Sequence, residues 1–216
     1  MMKYKVIIFD WDGTLMDSID KIVACVKGVA IDCKLAIPET DAIRHIVGLS
    51  LDIAMAKLFP DATKARQENM VEAYRHQYLT DNKQETPFYP GVKSWLMDLK
   101  NQGYLLAVAT GKGRNGLDRL LDKCAVRDLF DATYCADQTA SKPNPLMLNR
   151  ILEELNIDAS EALMVGDTSY DLEMANNAGI DCLGVSYGVH SHDILKQFNP
   201  IAIVDSLPEE FKLYVQ

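Results

Sequence analysis

The sequence predicts an α/β fold: a doubly wound, Rossmann-like parallel sheet carrying an inserted α-helical cap. Three observations predict it. Short apolar runs rich in Val, Ile, Leu and Ala recur along the chain, stretches with helical spacing of apolar residues separate them, and one long interval, residues 17–87, contains no convincing strand. Strands covered on both faces read as continuous apolar runs because neither side meets water.

The first run is KVIIF (5–9), which ends in DWDGT, two carboxylates around a tryptophan. Helical patterning then extends from Asp17 to about Leu35, through IRHIVGLSLDIAMAKLF and on to TKARQENMVEAYRHQYLTDN, interrupted at Pro38, Gly48 and Pro60. TPFYPGV (86–92) supplies a stiff turn through Pro87, Pro90 and Gly91, and the core pattern resumes after it. The core is therefore assigned to residues 1–16 and 88–216 and the cap to 17–87. Strands YLLAVAT (104–110), ATYC (132–135), ALMVG (162–166), CLGVS (182–186) and AIV (202–204) follow. The amphipathic stretches VKSWLMDLKNQG, NGLDRLLDKCAV, PLMLNRILEELN and DLEMANNAG alternate with them. Gly103 and Gly179 stand where helices should end, and the crossovers should be right-handed.

Composition narrows the function. The 216 residues carry 22 Lys+Arg against 31 Asp+Glu, a formal charge of -9, which disfavours nucleic acid and anionic membrane as partners. A small soluble substrate is expected, and an anionic one needs local cations or a metal to reverse the field. The first residues lack a signal-peptide pattern and no run of about 18 apolar residues occurs, so the chain is expected to be cytoplasmic. Cys25, Cys33, Cys124, Cys135 and Cys182 form no C-x-x-C pair and read as reduced packing residues. His190 and His192, in GVHSHD, read as a solvated loop and not as a zinc site.

Residues that follow different strands of a parallel sheet converge at one edge. Here they are Asp10, Asp12, Gly13 and Thr14 after the first strand, then Thr110 and Gly111 after the second. Lys142 follows the third at a distance, and Gly166, Asp167 and Asp171 follow the fourth. Four carboxylates a few ångströms apart repel one another unless a cation intervenes, and an oxygen-only ligand set favours Mg2+. Alternation along the extended segment turns Asp10 and Asp12 to one side and Trp11 to the other.

DWDGT, ATGK, SKPNP and VGDTSYD, in this order and each after a strand, resemble the four motifs of the haloacid-dehalogenase-like phosphohydrolases. The helical insertion resembles the cap of the branch with phosphoglycolate phosphatases and β-phosphoglucomutases. The resemblance implies a Mg2+-dependent phosphatase that acts on a small phosphorylated metabolite, phosphoglycolate-like or a sugar phosphate, and works as a monomer or homodimer. It implies Asp10 as the nucleophile that forms an aspartyl phosphate, and Asp12 as general acid and then base. Lys142 would bridge nucleophile and phosphoryl oxygens. Gly13 and Gly111 would approach phosphate, and Thr14 and Thr110 would donate hydroxyls to phosphate or to neighbouring carboxylates. Asp10, Asp12 through its main-chain carbonyl, Asp167 and, as ligand or orienting group, Asp171 would surround the metal. Arg44, Lys57 and Arg75, with Gly48, Leu49 and Ser50 of the VGLSL loop, are the cap's candidates for selectivity. A phosphomutase using the same core is the alternative. A phospho-acceptor switch would ordinarily be shorter and lack the insertion, and haloacid dehalogenation would need neither metal nor leaving-group acid.

Overall fold

The computed structural model describes residues 3–215. In chain order the elements are β1 (Val6–Phe9), α1 (Ile19–Asp32), α2 (Thr40–Arg44), α3 (Leu51–Leu58) and α4 (Lys64–His76), the last continued by a π-helical turn at Gln77–Asp81. Then come α5 (Val92–Asn101), β2 (Leu105–Thr110), α6 (Arg114–Lys123), β3 (Ala132–Cys135), α7 (Leu146–Leu155) and β4 (Ala162–Gly166). The chain closes with α8 (Ser169–Ala178), β5 (Asp181–Val185), α9 (His192–Lys196), β6 (Ala202–Val204) and α10 (Leu207–Tyr214). All six expected strands form, within a residue or two of the apolar runs.

The strands make one parallel sheet in the order β3-β2-β1-β4-β5-β6. Alternation divides their side chains between two cores. Ile7, Phe9, Leu106, Val108, Leu163 and Val165 pack with Trp95 and Leu96 of α5 on one face. Val6, Ile8, Ala107, Ala109 and Met164 pack with Met147 and Ile151 of α7 and Leu172 of α8 on the other. Both faces exclude water, so the runs carry no polar alternation.

Helices α1 to α4 have their own core, in which Ile22, Val26 and Val29 meet Ile43, Val47, Met55 and Met70. Two connectors join this cap to the sheet side by side. Met16 bridges antiparallel to Phe88, and Asp17 N–H donates to the Pro87 carbonyl at 2.9 Å. Trp11 is fully buried, edge-on to Phe88 at 5.9 Å and tilted against Phe130 at 6.0 Å, so the ring anchors the connectors away from the two carboxylates. The five cysteines are free thiols, and no described helix is long and apolar enough to cross a membrane.

Candidate active site

The order of the sheet reverses between β1 and β4, and the crevice outside their carboxyl ends is where such sheets bind ligands. Asp10 follows β1 and Asp167 follows β4, so the topology alone brings these two carboxylates together. Asp171 reaches the same spot from the first turn of α8. Oxygen atoms of Asp10, Asp167 and Asp171 lie within 4.8 Å of one another, and all three residues are buried.

Lys142 binds this group from below. Its side chain is fully buried, with Nζ 2.6 Å from Asp10 Oδ1 and 2.6 Å from Asp171 Oδ1. Burial works to lower its pKa, but the two carboxylates outweigh burial and the ammonium is held charged, above its ordinary range. Asp171 Oδ2 accepts from the Thr168 N–H and hydroxyl, while Thr168 Oγ1 accepts from Asp171 N–H. This reciprocal cap starts α8, so Asp171 is at once a helix-terminus residue and the group that orients Lys142.

Asp167 is packed on three sides. Thr14 donates to its Oδ1 at 2.8 Å and Val189 N–H to its Oδ2 at 2.9 Å. A Cβ on Gly13 or on Gly188 would overlap its carboxylate. Gly13, at φ +84, takes a backbone conformation that side chains resist. Burial and then the Asp171 charge push the Asp167 carboxyl up to about 7. Burial pushes Asp10 upward too, against the pull of Lys142. Asp10 Oδ2 is buried without a hydrogen-bond partner. An orphaned carboxylate oxygen beside two other carboxylates is the donor set of a hard divalent cation, so the residues present fit Mg2+.

The other candidates sit in different surroundings. Thr14 and Gly13 do not face the cavity above Asp10, because the Thr14 hydroxyl serves Asp167 and Gly13 N–H donates to the Met16 carbonyl. The Asp12 carboxylate stands outside the three-carboxylate group; its Oδ1 accepts from Ser18 Oγ at 2.7 Å and its Oδ2 pairs with Lys112 Nζ at 3.1 Å. Thr110 and Gly111 do line the cavity, as do Gly48, Leu49 and Ser50 of the cap loop. A Cβ on Gly111 would overlap the Gly48 and Leu49 carbonyl oxygens, so cap and core touch there by backbone. Ser50 N–H donates to Ser141 Oγ at 2.8 Å across the same junction.

Arg44 does not line the cavity, and Lys57 lies over the Tyr170 ring of α8 at 5.3 Å. Arg75 lines it but is paired with Glu72. His190 is buried and not solvated: it accepts from Ser169 N–H at 2.8 Å, and its ring lies 4.8 Å from that of His45 in the cap. Its backbone follows β5 back over Asp167, which a loop-like spelling does not reveal.

Lys112 is the residue sequence reasoning passed over. It is the last residue of ATGK, largely covered, with Nζ 3.5 Å from Tyr78 Oη of the cap and 4.5 Å above that ring. Its position directly after Gly111 was the available signal.

A family model for haloacid dehalogenase-like hydrolases matches residues 7–185. The chain belongs to this family of enzymes. It is 36% identical over 209 residues to the probable phosphatase IndB of Dickeya dadantii, covering 94% of this chain and 90% of that one. It is 31% identical over 214 residues to a phosphoglycolate phosphatase of Vibrio parahaemolyticus, covering 95% and 93%. A haloacid dehalogenase-like family hydrolase from Streptococcus pneumoniae has the same fold, with a TM-score of 0.85 at 24% identity over 98% of each chain. The crevice, the acidic group and the helical cap thus belong to a hydrolase of known architecture.

Proposed function

We propose that the protein is a Mg2+-dependent phosphatase of a small phosphorylated metabolite, phosphoglycolate-like or a sugar phosphate, acting through an aspartyl phosphate on Asp10. The observation that carries this reading is Asp10 itself, a carboxylate at the floor of the cavity with one oxygen held by Lys142 and the other unpartnered.

Asp10 and Asp167, with the Asp12 main-chain carbonyl, would hold the ion, and Asp171 would hold Lys142 in place beside it. When bound, Mg2+ supplies positive charge that lets carboxylates and a phosphate dianion share one crevice. In the first step an Asp10 oxygen attacks phosphorus, the bond to the ester oxygen breaks, and Asp12 gives its proton to the leaving alkoxide. In the second, Asp12 takes a proton from water, whose oxygen attacks phosphorus and returns Asp10 as a carboxylate with release of phosphate. Lys142 stabilises the negative charge on Asp10 before and after. Asp12 lines the cavity, its carboxylate bonded to Ser18 and Lys112 and not to Lys142, which leaves it beside the space the leaving oxygen would occupy.

The test is phosphate release from a panel of metabolite monoesters by wild type and Asp10→Asn, with Mg2+ and with EDTA. Release that stops on chelation, and that falls at least about a hundredfold in Asp10→Asn, is expected. Full activity after exhaustive chelation would remove the metal from the reading, and an active Asp10→Asn would remove the nucleophile. Conversion of a sugar phosphate to its isomer without phosphate release would point to a mutase. Mg2+ should also raise the melting temperature of Asp167-intact protein and not that of Asp167→Ala, a readout independent of turnover.

A further inference from the structure

We propose that the cap side of the cavity accepts a phosphate monoester whose alcohol is uncharged and carries a ring, and disfavours one whose leaving group bears a second anion. This rests on the phosphatase reading above and narrows its substrate.

The electrostatic argument comes from the cavity wall beyond Asp10 and Asp12. Two cations line it, Lys112 and Arg75, and each faces a carboxylate: Lys112 pairs with Asp12 at 3.1 Å, and Arg75 pairs with Glu72. Asp52 and Asp137 line it as well, and neither has a Lys or Arg within ion-pair distance among the described residues. Among the described residues Asp137 accepts a hydrogen bond only from the Arg114 backbone N–H, at 3.0 Å. The Arg75–Glu72 pair is solvent-exposed and weak on its own, yet an anion drawn to Arg75 would meet Glu72 in the same place. The wall therefore offers a second anion more carboxylates than cations.

The shape argument comes from the cap. The cavity holds about 710 Å3, room for far more than a two-carbon acid. Leu51 and Ile53 of α3, Val71 of α4 and Leu79 make an aliphatic side. Tyr74 and Tyr78, one helical turn apart at the π-helical widening of α4, add a pair of rings with centroids 5.9 Å apart and planes 28° from parallel. The Tyr74 hydroxyl has no hydrogen-bond partner among the described residues, although the residue is largely covered. An apolar wall with two rings and one free hydroxyl suits a ring-bearing alcohol with a polar substituent.

The test compares benzyl phosphate, methyl phosphate and 2-phosphoglycolate as substrates of the wild type, and by calorimetry as ligands of Asp10→Asn. Benzyl phosphate should exceed 2-phosphoglycolate in kcat/KM by about tenfold or more. Tyr74→Ala should lower kcat/KM for benzyl phosphate about tenfold more than for methyl phosphate, chiefly through KM. Glu72→Gln, a surface change that leaves Arg75 free, should raise 2-phosphoglycolate relative to benzyl phosphate. Preference for 2-phosphoglycolate in turnover or in binding would overturn the inference, as would equal losses of both neutral esters in Tyr74→Ala. Tighter binding of benzyl phosphate to Asp10→Asn with no turnover of any ester by the wild type would sink the phosphatase reading and leave the binding preference standing.

Discussion

Lys112 Nζ lies 3.1 Å from Asp12 Oδ2 and 3.5 Å from Tyr78 Oη, so one largely covered ammonium joins the core carboxylate to the cap. Burial works to lower the Lys112 pKa, while Asp12 and Tyr78 raise it further, and it remains charged well past neutrality. Lys112→Met should therefore unfasten the cap and leave Asp12 misplaced. A loss in kcat/KM of about ten- to a hundredfold is expected, with partial recovery in Lys112→Arg. Steady-state kinetics of the two variants decide this, and unchanged parameters in Lys112→Met would show the contact to be incidental.

Asp12→Ala separates the two proposed half-reactions. With p-nitrophenyl phosphate, whose leaving group needs no proton, Asp10 should still be phosphorylated while hydrolysis is crippled. A burst of p-nitrophenol and a phosphorylated peptide containing Asp10 are expected after acid quench. Alkyl phosphates should lose even the burst. Equal loss for both ester types, with no burst, would mean that Asp12 acts through charge or geometry and not as an acid and base.

Gly111→Ala tests the backbone contact between cap and core. The added methyl would overlap the carbonyl oxygens of Gly48 and Leu49, and a joint between two packed bodies yields more readily than either body's interior. Activity should drop by about a hundredfold while the melting temperature changes little, because a displacement near 1 Å at the site is costly to catalysis. A variant that is fully active would show that the loop does not close this tightly during turnover.

His190 should make the fold acid-sensitive. Burial, and then the neighbouring His45, push its pKa down from 6.5 to about 4. The unfolded chain then takes up the proton before the folded one does, so stability is lost as pH falls from about 6.5 towards 4. His190→Asn, which keeps an acceptor for Ser169 N–H, should show a shallower decline in melting temperature between pH 7 and 4.5, by up to about one proton in the slope. Parallel slopes for the two proteins would rule out this residue as the source.

The strands, their chain order and the helical insertion were legible in the sequence, because a strand covered on both faces has to be apolar and an amphipathic helix has to repeat its apolar residues at three and four. The residues around the acidic cluster were legible for a related reason: VIIF and ALMVG each end at a carboxylate, and a parallel sheet brings strand ends to one edge. What each polar side chain faces was decided only by packing. Thr14 turns to Asp167, Asp12 turns to Ser18 and Lys112, and His190 goes into the junction with the cap, since those directions depend on neighbours remote in the chain. The cap's cations show the limit most plainly. Arg44, Lys57 and Arg75 have the same helical spelling, but only Arg75 reaches the cavity, where Glu72 meets it. Periodicity records which face of a helix is apolar. The charge a substrate meets depends on which helices enclose the cavity, and that arises only when the cap folds over the sheet.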